Sequence, residues 1–356
     1  MNEWSIGDVI IPWYEQHRRD LPWRNTNDPY LIWISEVILQ QTRVIQGLDY
    51  FIRFVERFPN VVSLAEAEED EVMTYWQGLG YYSRARNLHQ AAREVVSLYG
   101  GQFPRSYEEV LSLKGIGEYT AAAICSFAYR LPYATVDGNV YRVLSRLFDI
   151  DIPIDSGEGK KYFAELSRTL LDRCRPDLYN QAIMEFGAFQ CIPKSPDCEH
   201  CPLNSRCLAR AKDRVERLPV KVGKVQVKPR YFNYLYIHGQ GMTLLFKRTG
   251  NDIWRNLYEF PLIETERAVT WEELSGMAVF QELFDGIEKV EIIREYVAKK
   301  HVLSHRVIYP VFYEIRVDSF SESMEKYLKV PDDRVGEYAV SRLIQSYLEV
   351  RDGLLF

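Results

Sequence analysis

One carboxylate of this chain stands among greasy neighbours. In "LIWISEVILQQTRV" (31–44), helical spacing places Ile32 and Trp33 about one turn before Glu36 and Leu39 about one turn after it. Two roles are open to such an acid. Glu36, Gln40 and Arg43 recur at helical spacing, which fits a solvated stripe. Alternatively, apolar surroundings raise the carboxyl pKa until the group can hand over a proton near neutral pH. A second acid, Asp137 in "ATVDGNVYRVLSRL" (134–147), precedes Gly138 and an amphipathic helix. Its simplest role is an N-cap worth about 1 kcal/mol. A carboxylate held ionised at a helix start can also face a developing positive charge.

Four of the six cysteines fall in "CIPKSPDCEHCPLNSRC": Cys191, Cys198, Cys201 and Cys207. A disulfide framework is disfavoured in a reducing compartment. Structural zinc sites usually separate two C-x-x-C-like pairs by a longer loop. Here all four thiols lie within 17 residues and share one C-x-x-C. That compactness suits a four-iron, four-sulfur cube held at its corners by one short loop. Cys125 and Cys174, in apolar helical contexts, are expected to be buried, inert thiols.

In "LSLKGIGEYTAAAICSFA" (111–128) one helix is expected to end before Gly115 and another to begin after Gly117. Two glycines around one apolar residue allow a tight turn and leave bare N–H groups at a helix start, a site suited to one DNA phosphate.

The elements that must position these groups follow from the wider pattern. At 356 residues the chain is expected to form two domains. Residues 1–215 read as helix after helix, "SLAEAEEDEVMTYWQGLG" and "YYSRARNLHQAAREVVSLYGG" each running into terminal glycines. A basic linker spans 216–229. Residues 230–356 read as a smaller α/β domain: "YFNYLYIHGQGMTLLFKRTG" as two strands about a tight turn, "HVLSHRVIYPVFYEIRV" as strand, "TWEELSGMAVFQELF" and "AVSRLIQSYLEV" as helix. Net charge is −6, which argues weakly against nucleic acid, yet residues 206–230 carry nine Lys or Arg against two acids. That run fits either a solvated linker or a strip following a phosphate backbone. The first twenty residues lack a secretory pattern and no stretch is long enough to span a membrane. A soluble protein of the cytoplasm is expected.

The stretches "LPWRNTNDPYLIWISEVILQQTRV", "WQGLGYYSRARNLHQAA", "LKGIGEYTAAAI", "ATVDGNVYRV", "NQAIMEFGAFQC" and the cysteine loop occur in one order over the first 210 residues. In that order and spacing the chain resembles the MutY-type adenine DNA glycosylases of the helix-hairpin-helix repair superfamily. The resemblance implies an all-α helix-hairpin-helix domain with a [4Fe-4S] loop, followed by a smaller α/β Nudix-like domain. It implies that Glu36 protonates a flipped-out adenine and that Asp137 stabilises the oxocarbenium-like sugar. Tyr119 and Asn139 would line the sugar pocket, and Trp23, Arg24 and Gln181 would surround adenine. Gln41 and Tyr81 would wedge into the base stack, while Gly115 and Gly117 hold the backbone.

A related endonuclease-III-like subfamily carries lysine where Tyr119 stands, and tyrosine forms no Schiff base. A monofunctional enzyme is therefore expected over a glycosylase–lyase, and an intact acid pair argues against a silent DNA-binding protein. In the second domain "NDIWRNLYEFPLIETE" resembles the family's Trp-Glu-Phe-Pro segment, with Tyr258 at the Trp position, and no Nudix box is present. The family's Phe-Ser-His lesion reader corresponds to Leu303, Ser304 and His305, keeping the hydroxyl and imidazole but not the aromatic. The implied partner is duplex DNA holding adenine opposite 8-oxoguanine or guanine, bound by a monomer.

Overall fold

The computed structural model describes residues 5–223, 227–303 and 305–353. The chain divides into two compact units, Met1–Glu66 with Asn87–Gly223, and Ala67–Arg86 with Lys224–Phe356. The helical part comprises α1 (Gly7–His17), α2 (Pro29–Leu39), α3 (Val44–Arg57), α4 (Val61–Glu66), α5 (Glu69–Trp76), α6 (Ser83–Tyr99), α7 (Tyr107–Ser112), α8 (Glu118–Tyr129), α9 (Gly138–Leu147), α10 (Gly157–Leu170), α11 (Pro176–Phe189) and α12 (Leu208–Ala211). Helix α5 and the start of α6 fall within the second unit.

Two expectations are corrected here. The stretch "SLAEAEEDEVMTYWQGLG" is not one helix but α4 and α5, broken at Ala67–Glu68. Glu68 is extended, and Glu69, Asp70 and Glu71 occupy the first turn of α5. Three acids favour the positive end of a helix over its interior. Cys174 is exposed rather than buried. It sits in the turn before α11, where Asp172 Oδ1 accepts from the amides of Cys174 and Arg175 at 3.0 and 3.1 Å.

Two packing features of the first unit position the acids. Helix α2 starts at Pro29, capped by Asp28, which accepts from the Tyr30 amide at 2.8 Å. It is buried continuously from Ile32 to Ile38 and packs on α8, whose Ala121, Ala122 and Ala123 are small enough to admit it. Helices α1, α9, α10 and α11 share a core of Ile10, Tyr14, Val140, Leu144, Phe163, Ile183 and Phe186. Buried Asn180 of α11 accepts from the Thr135 amide at 3.1 Å and donates to the Tyr133 carbonyl at 2.8 Å, fixing the segment that delivers Asp137.

The second unit holds a mixed sheet built from β1 (Lys228–Gly239), β2 (Met242–Lys247), β3 (Tyr258–Glu259), β4 (Leu262–Thr265), β5 (Val290–Val297), β6 (His301–Val302), β7 (Arg306–Val317) and β8 (Leu328–Pro331). The order is β3-β2-β1-β7-β5, with β4 on β1, β6 on β7 and β8 on β2. Strands β1 and β7 pair parallel from Lys228–Arg306 to His238–Arg316. Between β1 and β2, Gln240 and Gly241 both take positive φ (57° and 76°), as a two-residue hairpin requires. Alternation along β1 sends Phe232, Tyr234 and Tyr236 towards α15 (Arg342–Arg351). It sends Leu235 and Ile237 towards α13 (Trp271–Ser275) and α14 (Ala278–Leu283). No described helix is long and apolar enough to cross a membrane.

Candidate active site

In the first unit a cavity of about 500 Å³ is lined by Trp23, Arg24, Glu36, Tyr119, Asp137, Asn139 and Gln181 among others. The seven residues expected at the reacting centre and base pocket, from six separate stretches of chain, thus face one space. Glu36 is not on a solvated stripe: it is 8% exposed. Burial pushes its carboxyl up to about 7, helped by the nearby charge of Asp137 and opposed by the Tyr119 hydrogen bond and Arg24. The Tyr119 hydroxyl donates to Glu36 Oε2 at 2.8 Å. Burial and the adjacent carboxylates keep that phenol neutral, well above its usual range.

Asp137 is held differently. As N-cap of α9 it accepts from the amides of Asn139 and Val140 at 2.9 and 2.8 Å, and from Asn139 Nδ2 at 2.7 Å. Burial raises its pKa, and these three donors oppose the rise. Asn139 cannot turn its amide over, because Arg142 donates to its Oδ1 at 2.8 Å. Arg142 also donates to the carbonyls of Gly187 and Cys191, at 2.6 and 2.7 Å. One acid thus has a single donor in an apolar wall, the other a built anion nest.

Glu185 and Tyr14 complete the pocket, and sequence reasoning did not name either. Glu185 is 1% exposed. It accepts from Arg24 at 2.9 and 2.6 Å and from Arg19 at 2.9 and 2.6 Å. Against the cost of burial, those guanidiniums pull its pKa down to about 2. Tyr14 donates to Gln181 Oε1 at 2.7 Å, which turns the Gln181 amide nitrogen to the remaining contacts. The signal for Glu185 was an acid inside the otherwise apolar "AIMEFGAF".

Glu185→Gln leaves the guanidiniums without a counter-charge and is expected to destabilise the protein by roughly 3 kcal/mol, read as a lower urea midpoint. Because the folded pKa is depressed, this contribution is present above about pH 4.5 and disappears as pH falls towards about 2.

The remaining expected residues divide by place. Gln41, exposed and at φ 57°, follows α2 just before Thr42, Arg43 and Val44 on the cavity wall. Gly115 has φ 76°, and a side chain there would meet Asn87 at 2.5 Å. At Gly117 an added carbon would meet nothing, and no side chain caps the α8 N-terminus. Tyr81, Leu303 and His305 line a different cavity, of about 530 Å³, in the second unit. Ser304 lies outside the described residues.

Cys191, Cys198, Cys201 and Cys207 together line a small cavity of about 30 Å³ with Arg146 and Arg210. Burial raises the Cys201 thiol to about 11, and the other three sulfurs add to the rise. Arg146 donates to Cys191 Sγ at 3.5 Å and to the carbonyls of Ile192 and Pro193 at 2.7 and 2.9 Å, clamping the loop to α9. Among the described residues no group of three or more His, Cys, Asp or Glu is arranged to hold a metal ion. Of the basic run, Lys212 and Arg214 pair with Asp149 and Asp151, and Arg230 with Asp252 and Glu264.

Comparison with known proteins places this geometry. Residues 34–168 match the HhH-GPD superfamily base excision DNA repair protein model, and residues 233–350 match the NUDIX domain. The chain is 34% identical over 308 residues to the adenine DNA glycosylase of Buchnera aphidicola subsp. Baizongia pistaciae, covering 85% of this chain and 83% of the relative. It is 44% identical over 217 residues to the adenine DNA glycosylase of Mus musculus, covering 58% of this chain and 42% of that one. Among solved structures, a thermostable thymine-DNA glycosylase superposes with a TM-score of 0.53 at 31% identity, covering 58% of this chain and 94% of that chain.

Proposed function

The chain belongs to the adenine DNA glycosylase family, and from that premise we propose a monofunctional base-excision enzyme that removes adenine mispaired with 8-oxoguanine or guanine. The observation that carries the chemistry is the acid pair in one cavity: Glu36 pushed up to about 7 in an apolar wall, and Asp137 in its nest of donors. The substrate is duplex DNA with the adenosine rotated out of the stack. Adenine would lie between Trp23, Arg24 and Gln181. Protonated Glu36 gives its proton to a ring nitrogen of the purine, and the C1′–N9 bond breaks with its electron pair leaving on adenine. The sugar is left as an oxocarbenium-like cation facing Asp137, whose charge stabilises it until water adds and a proton is lost, yielding an abasic site. One acid neutral and one ionised, set apart by surroundings, is the logic of glycoside hydrolysis.

Tyr119 supports hydrolysis over lyase chemistry, since it serves as a neutral donor to Glu36. Among the described residues lining the cavity none is a lysine, so no side-chain amine is at hand for a Schiff base. Single-turnover assays on end-labelled duplexes with adenine opposite 8-oxoguanine, guanine or cytosine test the reading. Adenine loss should favour the first two, with strand breakage only after alkali. Breakage without alkali would replace this reading with a glycosylase–lyase, and binding without excision with a silent binder.

The second unit would read the base opposite adenine, through the cavity that gathers Tyr81, Leu303 and His305. The four thiols that converge beside Arg146 fit a [4Fe-4S] cluster, because four crowded thiolates need a cationic centre to stay ionised and no disulfide links them. Such a group supplies a rigid cross-link at the end of α9, the helix that Asp137 caps. Cys198→Ser is expected to lose iron, acid-labile sulfide and visible absorbance, and to melt at lower temperature. Full iron content in that variant would remove Cys198 from the ligand set.

A further inference from the structure

The second-unit cavity contains an aromatic side chain that none of the roles above uses. Its walls include Leu79, Tyr81, Trp254, His301, Leu303 and His305. Two aromatics on this wall, Tyr81 and Trp254, have left-handed backbones, with φ of 49° and 58°. Such a conformation is costly for a bulky residue and persists only where the surroundings enforce it. For Trp254 the enforcement is visible. Arg248 donates through Nε to the Ile253 carbonyl at 3.0 Å and holds Asp252 at 2.8 Å. Its other arm pairs with buried Glu259 at 2.8 Å. The backbone closes the same loop: the Arg248 amide donates to the Leu257 carbonyl at 2.9 Å, and the Asn256 amide to the Arg248 carbonyl at 2.6 Å.

The indole that this loop presents is only partly buried. It meets Phe232 edge-on, with centroids 6.2 Å apart. It also meets His301 at 5.8 Å and 64°, which sets the plane of an imidazole already in the cavity wall. Burial and Arg342 depress the His301 pKa, leaving a neutral ring. Across the same space stands Leu303, packed on the same core but too flexible and too small to give a flat contact face.

We propose that Trp254 is a specificity-determining residue for the base opposite the excised adenine, giving an oxidised purine the aromatic contact that Leu303 does not provide. This rests on the reading of the second unit as the part that inspects the opposite strand. A flat indole gains offset or edge contact with a purine ring, and His301, oriented by the indole edge, has one donor and one acceptor nitrogen to meet polar atoms at the rim of the base.

The test is the ratio of single-turnover excision rates, 8-oxoguanine over guanine opposite adenine, in wild type, Trp254→Ala and Trp254→Phe full-length enzyme. Trp254→Ala should reduce that ratio about tenfold, and Trp254→Phe should restore most of it. Thermal melts accompany each variant. A ratio unchanged in Trp254→Ala overturns the role, as does a parallel fall on both duplexes that Phe does not rescue. A wild-type enzyme with no preference would overturn the lesion-reading function itself, and this inference with it, so the two failures are told apart.

Discussion

Glu36→Gln is expected to lower single-turnover adenine excision by at least about 10³-fold while duplex binding stays within a fewfold of wild type. The amide keeps the shape of the side chain and still accepts from the Tyr119 hydroxyl, so the loss isolates the transferable proton. Excision at the wild-type rate would remove Glu36 from the mechanism. The pH profile of the wild type gives the same residue a second reading. A general acid works in its protonated form, and burial lifts Glu36 to about 7, so the rate should fall tenfold per unit above about pH 7. An unperturbed carboxyl would place that descent near pH 4.5.

Stability should move in the opposite direction. A carboxyl protonated more readily folded than unfolded weakens the fold as pH rises from about 4.5 to about 7. Removing it at pH 8 should therefore stabilise the protein, by up to about 3 kcal/mol. A variant that is inactive and melts higher is the signature of an acid kept for its chemistry.

How much of this was legible beforehand can be argued from the same residue. Sequence periodicity offered Glu36 a polar stripe with Gln40 and Arg43, but that requires α2 to have a wet side. Instead Ile32 through Ile38 are all buried, because α8 covers the helix with a face of alanines. The apolar composition of 31–39 carried the correct signal, and the periodicity the wrong one. The strands of β1, β2 and β7 were legible for a related reason, since alternation with two apolar faces follows from the pleat alone.

What stayed hidden depends on distant partners. Glu185 owes its ionisation to Arg19 and Arg24, some 160 positions away, and no local pattern reports such a pairing. Trp254 owes its posture to the Arg248–Glu259 pair. Cys174 shows the converse error: apolar neighbours suggested burial, yet Asp172 turns the chain outward there.

Asp137→Asn separates the two roles that the sequence left open. Asparagine caps helices about as well as aspartate, and its Oδ1 can still accept from the amides of Asn139 and Val140. Its Nδ2, however, would face Asn139 Nδ2, and Arg142 prevents the Asn139 amide from turning over. One side-chain hydrogen bond is lost, so stability should fall by only about 1 kcal/mol. If Asp137 were a cap and nothing else, excision would follow that small change. If it balances the cation, removing its charge should cost about 10²–10³-fold in rate. The residual activity carries a further mark. The charge of Asp137 helps to raise the Glu36 pKa, so its loss should move the alkaline descent of the rate to lower pH. A thousandfold slower enzyme whose profile did not shift would place the two carboxylates out of electrostatic contact, against the geometry of the cavity. A slower enzyme with the shifted profile would tie both acids to one reaction.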